Sequence, residues 1–284
     1  MDHDAVETIS VSDRSAIVTG AARGIGAALA TELLARGARV LITDVDADAL
    51  EHTGAELAGR YGDDRVAWQA GDASSETTIA EWIALAQERH GPVDLYVANA
   101  GIGGGAGLDS TDEQWAAALD INVMAHVRAA RLLVPGWAER GEGIFLTTAS
   151  AAGLLTQIGS AVYAVTKHGA VAFAEWLAVT YGASGVRVSC LCPMGVDTAL
   201  LRSGAEEGDI GRTAQAAVTS AGEVLSPEHV ARITVDAVER GDLLILPHPE
   251  VAEFVRRKAT DHPRWVGGMQ RFQHMLSTPQ EDRS

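Results

Sequence analysis

The stretch Ser15-Ala16-Ile17-Val18-Thr19-Gly20-Ala21-Ala22-Arg23-Gly24-Ile25-Gly26 decides the fold. It opens with a short, near-continuous apolar run, the pattern of a strand buried on both faces. Three glycines follow within seven residues, and Ile25–Arg36 then takes helical spacing. Gly20 suits the tight turn leaving the strand, Gly24 lets backbone approach a pyrophosphate, and Gly26 lets the helix sit close to the sheet. A pyrophosphate on this loop would rest on the helix N-terminus beside Arg23 and Ile25, where free N–H groups and the dipole favour an anion.

Outward from this loop the same alternation continues. Arg39–Thr43, Val66–Gln69, Val93–Ala98, Gly143–Thr147, Val186–Leu191 and Leu243–Leu246 are read as further apolar strands. Segments such as Ala47–Arg60, Thr77–His90 and Ala161–Tyr181 carry helical spacing between them. About seven strands alternating with helices predict an α/β fold: a doubly wound parallel sheet of the Rossmann type, covered on both faces. No linker or fixed-period repeat interrupts the pattern. We therefore expect a single domain with a core over 13–250, a polar tail over 1–12 and a C-terminal extension over 251–284.

Composition narrows the function. Net charge is −16, and the longest basic run is Arg256-Arg257-Lys258, so a phosphate backbone would be repelled and nucleic acid is not expected as a partner. Met1–Ser15 carries acids and no apolar stretch, which argues against a signal peptide, and no run of about 18 apolar residues suggests a membrane span. Cys190 and Cys192 are the chain's two cysteines. We read them as small buried hydrophobes on opposite faces of a strand, in a protein of a reducing, cytoplasmic compartment. The histidines are scattered without ligand spacing, so no metal site is expected.

The second strand ends on Asp44, about 20 residues past the loop, where dinucleotide sites place an acid. A carboxylate there bonds ribose hydroxyls and repels a 2′-phosphate, and Val45 and Asp46 offer no cation, so NAD is the expected cofactor. Arg23 is the contrary residue. The third strand runs into Gly71-Asp72-Ala73, where Asp72 either meets adenine or caps the next helix.

Tyr163 and Lys167 stand four apart in a helical run and share one face. Phenol has a pKa near 10, too high for proton exchange at neutral pH, and a neighbouring ammonium can lower it by roughly 1–3 units. Tyr163 can then exchange a proton with an alcohol or ketone as hydride moves to or from a nicotinamide. Ser150 follows the strand Gly143–Thr147, at the carboxyl end where ligands bind in such sheets, and can hold the substrate oxygen.

Together the glycine loop, Asn99-Ala100-Gly101, Asn122, Ser150 and Tyr163-Ala164-Val165-Thr166-Lys167 resemble the short-chain dehydrogenase/reductase family over about residues 13–250. The resemblance implies a catalytic Ser150–Tyr163–Lys167 triad, with Asn122 holding a water that links Lys167 to solvent. It also implies that Lys167 holds the nicotinamide ribose, that Asn99 and Gly101 line the cofactor, and that the subunits pair as a dimer or tetramer. Val165, Ala172, Trp176 and Val179 suit such an interface, and the chain's own C-terminal tail is the alternative cover. The family usually reads Pro-Gly where this chain has Pro193-Met194-Gly195, so the expected cofactor contacts of Pro193, Val196 and Thr198 are read across a changed turn.

Leu154, Leu155, Ile158 and Met194 are the substrate-pocket candidates, with packing in the core the alternative for Met194, and their lack of charge favours an apolar or bulky secondary alcohol or ketone and argues against phosphorylated or strongly anionic substrates. The competing readings are NADPH-linked β-ketoacyl reduction, against which Asp44 counts, and a non-catalytic NAD sensor, against which the intact triad counts. Between Thr198 and Ser226 the chain is rich in glycine, alanine and acids, which predicts a mobile lid hinged at Gly204, Gly208, Gly211 and Gly222. Trp265, Met269, Phe272 and Leu276 form a helical stripe that would dock on this chain's pocket, on a neighbour's, or into the core.

Overall fold

Strands here are short apolar runs that bury both faces, and each is closed by a helix with its own start signal. The computed structural model describes residues 8–105, 107–203 and 208–278. In chain order it runs β1 (Ser15–Thr19), α1 (Gly24–Ala35), β2 (Arg39–Thr43), α2 (Ala47–Tyr61), β3 (Val66–Trp68), α3 (Glu76–His90) and β4 (Val93–Ala98). Then come α4 (Asp112–Leu119), a π-helical turn (Asp120–Met124), α5 (Ala125–Arg140), β5 (Gly143–Thr148), α6 (Ala161–Tyr181) and β6 (Val186–Leu191). The chain ends with α7 (Ala199–Ser203), α8 (Gly208–Ala221), α9 (Pro227–Arg240), β7 (Leu244–Ile245), α10 (Glu250–Thr260) and α11 (His262–Ser277).

The seven strands form one parallel sheet in the order β3-β2-β1-β4-β5-β6-β7, the doubly wound arrangement expected. Residues of α1, α2 and α9 build the core on one face, and residues of α3, α5 and α6 build it on the other. The winding reverses between β1 and β4, so the loops leaving their carboxyl ends splay apart into a crevice. The outermost strands, β3 and β7, are shorter than the sequence pattern suggests, because an edge strand has pairing on one side only.

Helix starts follow capping chemistry. Asp46, Ser75, Ser160, Ser226 and Asp261 each accept a backbone N–H of the helix they precede, and Thr111 with Gln114 makes a reciprocal capping box. Helix α1 is different: Arg23 precedes it and offers no side-chain cap. Its first N–H groups are left to face the crevice.

Three expectations need correction. Ile9 and Val11 are not free tail: their N–H groups donate to the Glu239 carbonyl (2.8 Å) and carboxylate (3.1 Å), and Val11 is fully buried. Cys190 and Cys192 share a face, as residues two apart in a strand must, and their buried thiols lie 3.7 Å apart, unoxidised. The glycine-rich segment after Thr198 is largely helical, with α8 stacked on α11. Within it Gly211 is buried and a side chain at Gly222 would collide with Glu250 and Met194, whereas Gly208, at the start of α8, holds φ of +76° with open space around its Cβ position; Gly204 lies outside the described residues. Among the described residues no helix is long and apolar enough to cross a membrane.

Candidate active site

The crevice at the carboxyl ends of β2, β1, β4, β5 and β6 is a cleft of about 790 Å³. Gly20, Arg23, Gly24, Ile25, Gly26, Asp44, Asp72, Ala73, Asn99, Ala100, Gly101, Pro193, Val196 and Thr198 all line it, as do Ser150, Tyr163 and Lys167. The glycine loop is shaped for close approach. Gly20 and Gly24 hold φ of +63° and +61°, and a Cβ on Gly20 would stand 2.8 Å from the Ala100 Cα. One on Gly26 would strike the Gly20 carbonyl. An uncapped helix start, glycine backbone and a long cleft fit a dinucleotide, with the pyrophosphate on α1.

Asp44 sits where the ribose would come. Its carboxylate accepts the Ala22 and Asp46 N–H groups, both at 3.0 Å, which fixes its orientation and the loop at once. Arg23, the cation that might have met a 2′-phosphate, is instead ion-paired with Asp46. Asp72 accepts the Ser74 N–H and hydroxyl at 2.8 Å, while Ser75, not Asp72, caps α3. Asn99 spends its amide donors on the carbonyls of Thr19 (2.9 Å) and Gly20 (3.1 Å). It braces the glycine loop against β4.

Deeper in the cleft, one turn of α6 presents Tyr163 and Lys167. Lys167 is buried, its Nζ donates to the Thr148 carbonyl at 3.0 Å, and it lies 5.6 Å from the centre of the Tyr163 ring. Burial lowers its pKa from 10.5 to about 8. Ser150 and Tyr163 line the same cleft, near enough for the serine hydroxyl to act on the phenol. Contrary to the expectation of an ammonium-lowered phenol, burial is the largest influence on Tyr163 and holds its pKa above the ordinary value; the neighbouring Ser150 hydroxyl draws it back. Ser150 is itself oriented by the Ala152 N–H (3.1 Å) and the Pro193 carbonyl (3.4 Å).

Asn122 lies in the π turn between α4 and α5, fully buried. Its side chain accepts the Ile102 N–H at 2.9 Å and donates to the Ile102 carbonyl and to Thr166 Oγ1, both at 3.0 Å. It ties the loop after β4 to the helix that carries Tyr163 and Lys167. Gly101 makes this convergence sterically feasible, since a Cβ there would meet the Asn122 oxygen at 3.1 Å and the Lys167 nitrogen at 3.3 Å.

A residue that no spacing pattern pointed to holds the altered turn after β6. Buried His248 accepts the Met194 N–H on Nδ1 at 3.1 Å, and its Nε2–H is shared by the carbonyls of Gly195 (3.1 Å) and Glu223 (3.2 Å). Val196 bridges to Leu225, and the Thr198 hydroxyl stays local, starting α7 by accepting the Leu201 N–H at 3.4 Å.

Ser150 and Met194 also line a second cavity of about 960 Å³, reaching out under α8, α10 and α11. Leu155 and Ile158 line it too. Leu154 does not; it turns to the core beneath α6, and its carbonyl accepts the Lys258 ammonium at 2.8 Å. Trp265, Met269 and Phe272 form the outer wall, so the C-terminal stripe docks over this chain's own pocket.

A dinucleotide cleft meeting a second cavity at a Ser–Tyr–Lys cluster defines a nicotinamide-dependent oxidoreductase of hydroxyl and carbonyl groups. The chain belongs to the short chain dehydrogenase family, whose model matches residues 14–208. It is 37% identical over 216 residues to 1-deoxy-11-beta-hydroxypentalenate dehydrogenase of Streptomyces exfoliatus, covering 74% of this chain and 78% of that one. It is 32% identical to D-beta-hydroxybutyrate dehydrogenase of Cupriavidus necator, covering 69% and 76%. Its structure resembles that of a short chain dehydrogenase/reductase from Burkholderia phymatum in complex with NAD, with a TM-score of 0.80, 27% identity and coverage of 97% and 99%.

Proposed function

We propose that this enzyme interconverts a bulky secondary alcohol and its ketone with NAD as the hydride carrier. The observation that carries this is Ser150 beside Tyr163 where the two cavities meet, with Lys167 against the phenol ring. The bound nicotinamide supplies or takes the hydride. Ser150 holds the substrate oxygen, and Tyr163 gives that oxygen a proton during reduction or removes one during oxidation. Lys167 holds the ribose and places positive charge beside the phenol, while Asn122 fixes the loop and helix that bear these groups. NAD is favoured over NADP because Asp44 faces the ribose position and Asp46 occupies Arg23.

The test is turnover of a panel of secondary alcohols and ketones with each cofactor, repeated with Tyr163→Phe. The substitution should leave cofactor binding nearly intact and cut turnover by about 10²–10⁴, the usual worth of a positioned acid–base group. Because burial holds the phenol protonated, oxidation should rise with pH through the alkaline range while reduction does not. Wild-type turnover in Tyr163→Phe would overturn the assignment.

A further inference from the structure

The pocket candidates visible in the sequence carry no charge, but the finished cavity does. Its inner end at Ser150 and Met194 and its walls at Val218, Phe254, Trp265 and Met269 are apolar apart from the serine. Around the outer end stand Arg256, Arg257, Arg264 and Arg271, in a chain whose net charge is −16. Among the described residues the carboxylates lining the same cavity are Glu253 and Asp261, which leaves this lining two positive charges in excess. Glu253 bonds both Arg256 and Arg257, and these guanidiniums hold its pKa down to about 2. Asp261 is spent on capping α11, accepting the backbone N–H of Arg264 at 3.1 Å.

The Arg264 and Arg271 side chains have no hydrogen-bond or ion-pair partner among the described residues. They lie seven apart, two turns along one face of α11, flanking the stripe of Trp265, Gly268, Met269 and Phe272 that walls the cavity. Arg271 folds back along the helix, placing its two terminal nitrogens 3.5 and 3.9 Å from where Cβ atoms on Gly267 and Gly268 would be. Two guanidiniums without a partner among the described residues, at the open end of a largely apolar pocket, form a receptor for oxyanions, whose geometry matches the guanidinium fork.

We propose that the substrate is amphipathic: its carbinol carbon sits at Ser150 and Tyr163, its apolar body fills the cavity, and a carboxylate or phosphate at its far end meets Arg264 and Arg271. This rests on the alcohol–ketone reading of the inner site and adds the chemical class of the molecule. A cavity of about 960 Å³ holds a body of roughly drug size between the two ends.

The test compares three substrates of equal chain length with the NAD-loaded enzyme: a hydroxydecanoate with its hydroxyl near the far end, its methyl ester, and the phosphate monoester of the matching diol. The wild type should favour the acid or the phosphate over the ester by roughly tenfold in kcat/KM, and added salt should shrink the ratio. Whichever anion leads identifies the natural head group. In the double variant R264Q/R271Q the anion-to-ester ratio should collapse toward one, and because it is a ratio within one preparation, partial unfolding does not move it. Equal use of ester and anions by the wild type, or an unchanged ratio in the variant, would overturn the proposal while leaving the alcohol–ketone reading intact. Absence of turnover of any of the three or their ketones with either nicotinamide cofactor, while short neutral alcohols are oxidised, would also overturn it. Absence of turnover with every alcohol and ketone would overturn the inner-site reading first.

Discussion

The Nδ1 of His248 accepts the N–H of Met194 at 3.1 Å, and through that bond the segment after β7 holds the turn after β6. The turn carries a methionine where the family usually has glycine, and its carbonyl at Pro193 orients both Ser150 and Ala151. His248 therefore links the floor of the cofactor cleft to the Ser150 hydroxyl. His248→Phe would leave buried donors and acceptors unpaired, at about 1–3 kcal/mol each. We expect a raised KM for NAD and a lowered kcat along with a lowered Tm, and partial kinetic rescue by His248→Asn, which can both donate and accept. A loss of Tm with unchanged KM and kcat would make His248 a packing residue only.

On the proposed preference for NAD, cofactor choice would turn on two carboxylates, Asp44 and Asp46. Asp44→Ala with Val45→Arg should shift preference toward NADP by removing a repelling charge and adding a phosphate partner. Asp46→Ala alone should help NADP more modestly, because it frees Arg23 from its ion pair. The kcat/KM ratio for the two cofactors measures both effects. An unmodified enzyme that already prefers NADP would contradict the reading of Asp44.

Two buried imidazoles are expected to limit stability in acid. Burial, with Lys167 adding repulsion, lowers the pKa of His126 from 6.5 to about 3, and burial lowers that of His90 to about 4. Neither ring has a hydrogen-bond partner among the described residues. Between pH 6.5 and those values the unfolded chain binds more protons than the folded one, so stability falls as pH falls, by up to about 1.4 kcal/mol per unit for each histidine. His126→Leu should flatten the acid limb of a denaturation-against-pH curve and leave its shape above pH 7 unchanged. Parallel curves for variant and parent would show that His126 does not carry the effect.

We expect the chain to assemble through α6. Val165, Trp176 and Val179 remain exposed there, Val179 at 85%, and α11 reaches only the Val165 end of the helix. A second copy of the chain should cover the rest, giving a dimer or tetramer by light scattering at micromolar concentration. Val179→Asp with Trp176→Glu should shift that population toward monomer. A monomeric parent would show that this face stays in water.

Neighbouring residues already carry the architecture and bring Tyr163 and Lys167 together, because both are local features. Apolar runs buried on two faces, helices with caps and a glycine loop between strand and helix are patterns of neighbouring residues, and the seven-stranded parallel sheet follows from their alternation. Tyr163 and Lys167 were legible for the same reason, since a four-residue spacing on a helix already fixes their proximity. Only the tertiary structure decided what distant segments bring to the site. His248 lies 54 residues from Met194, and no periodicity links them. The orientation of Leu154 away from the pocket depends on a turn that Lys258 pins from 104 residues away. The glycine-rich segment read as a lid is largely helical, and α8 rests on α11, a partner that local sequence does not reveal. The arginines of α10 and α11 turned an uncharged list of pocket residues into a cavity with a cationic mouth. Folding back a C-terminal extension is a long-range event governed by the surface it lands on, and that surface exists only once the sheet has formed.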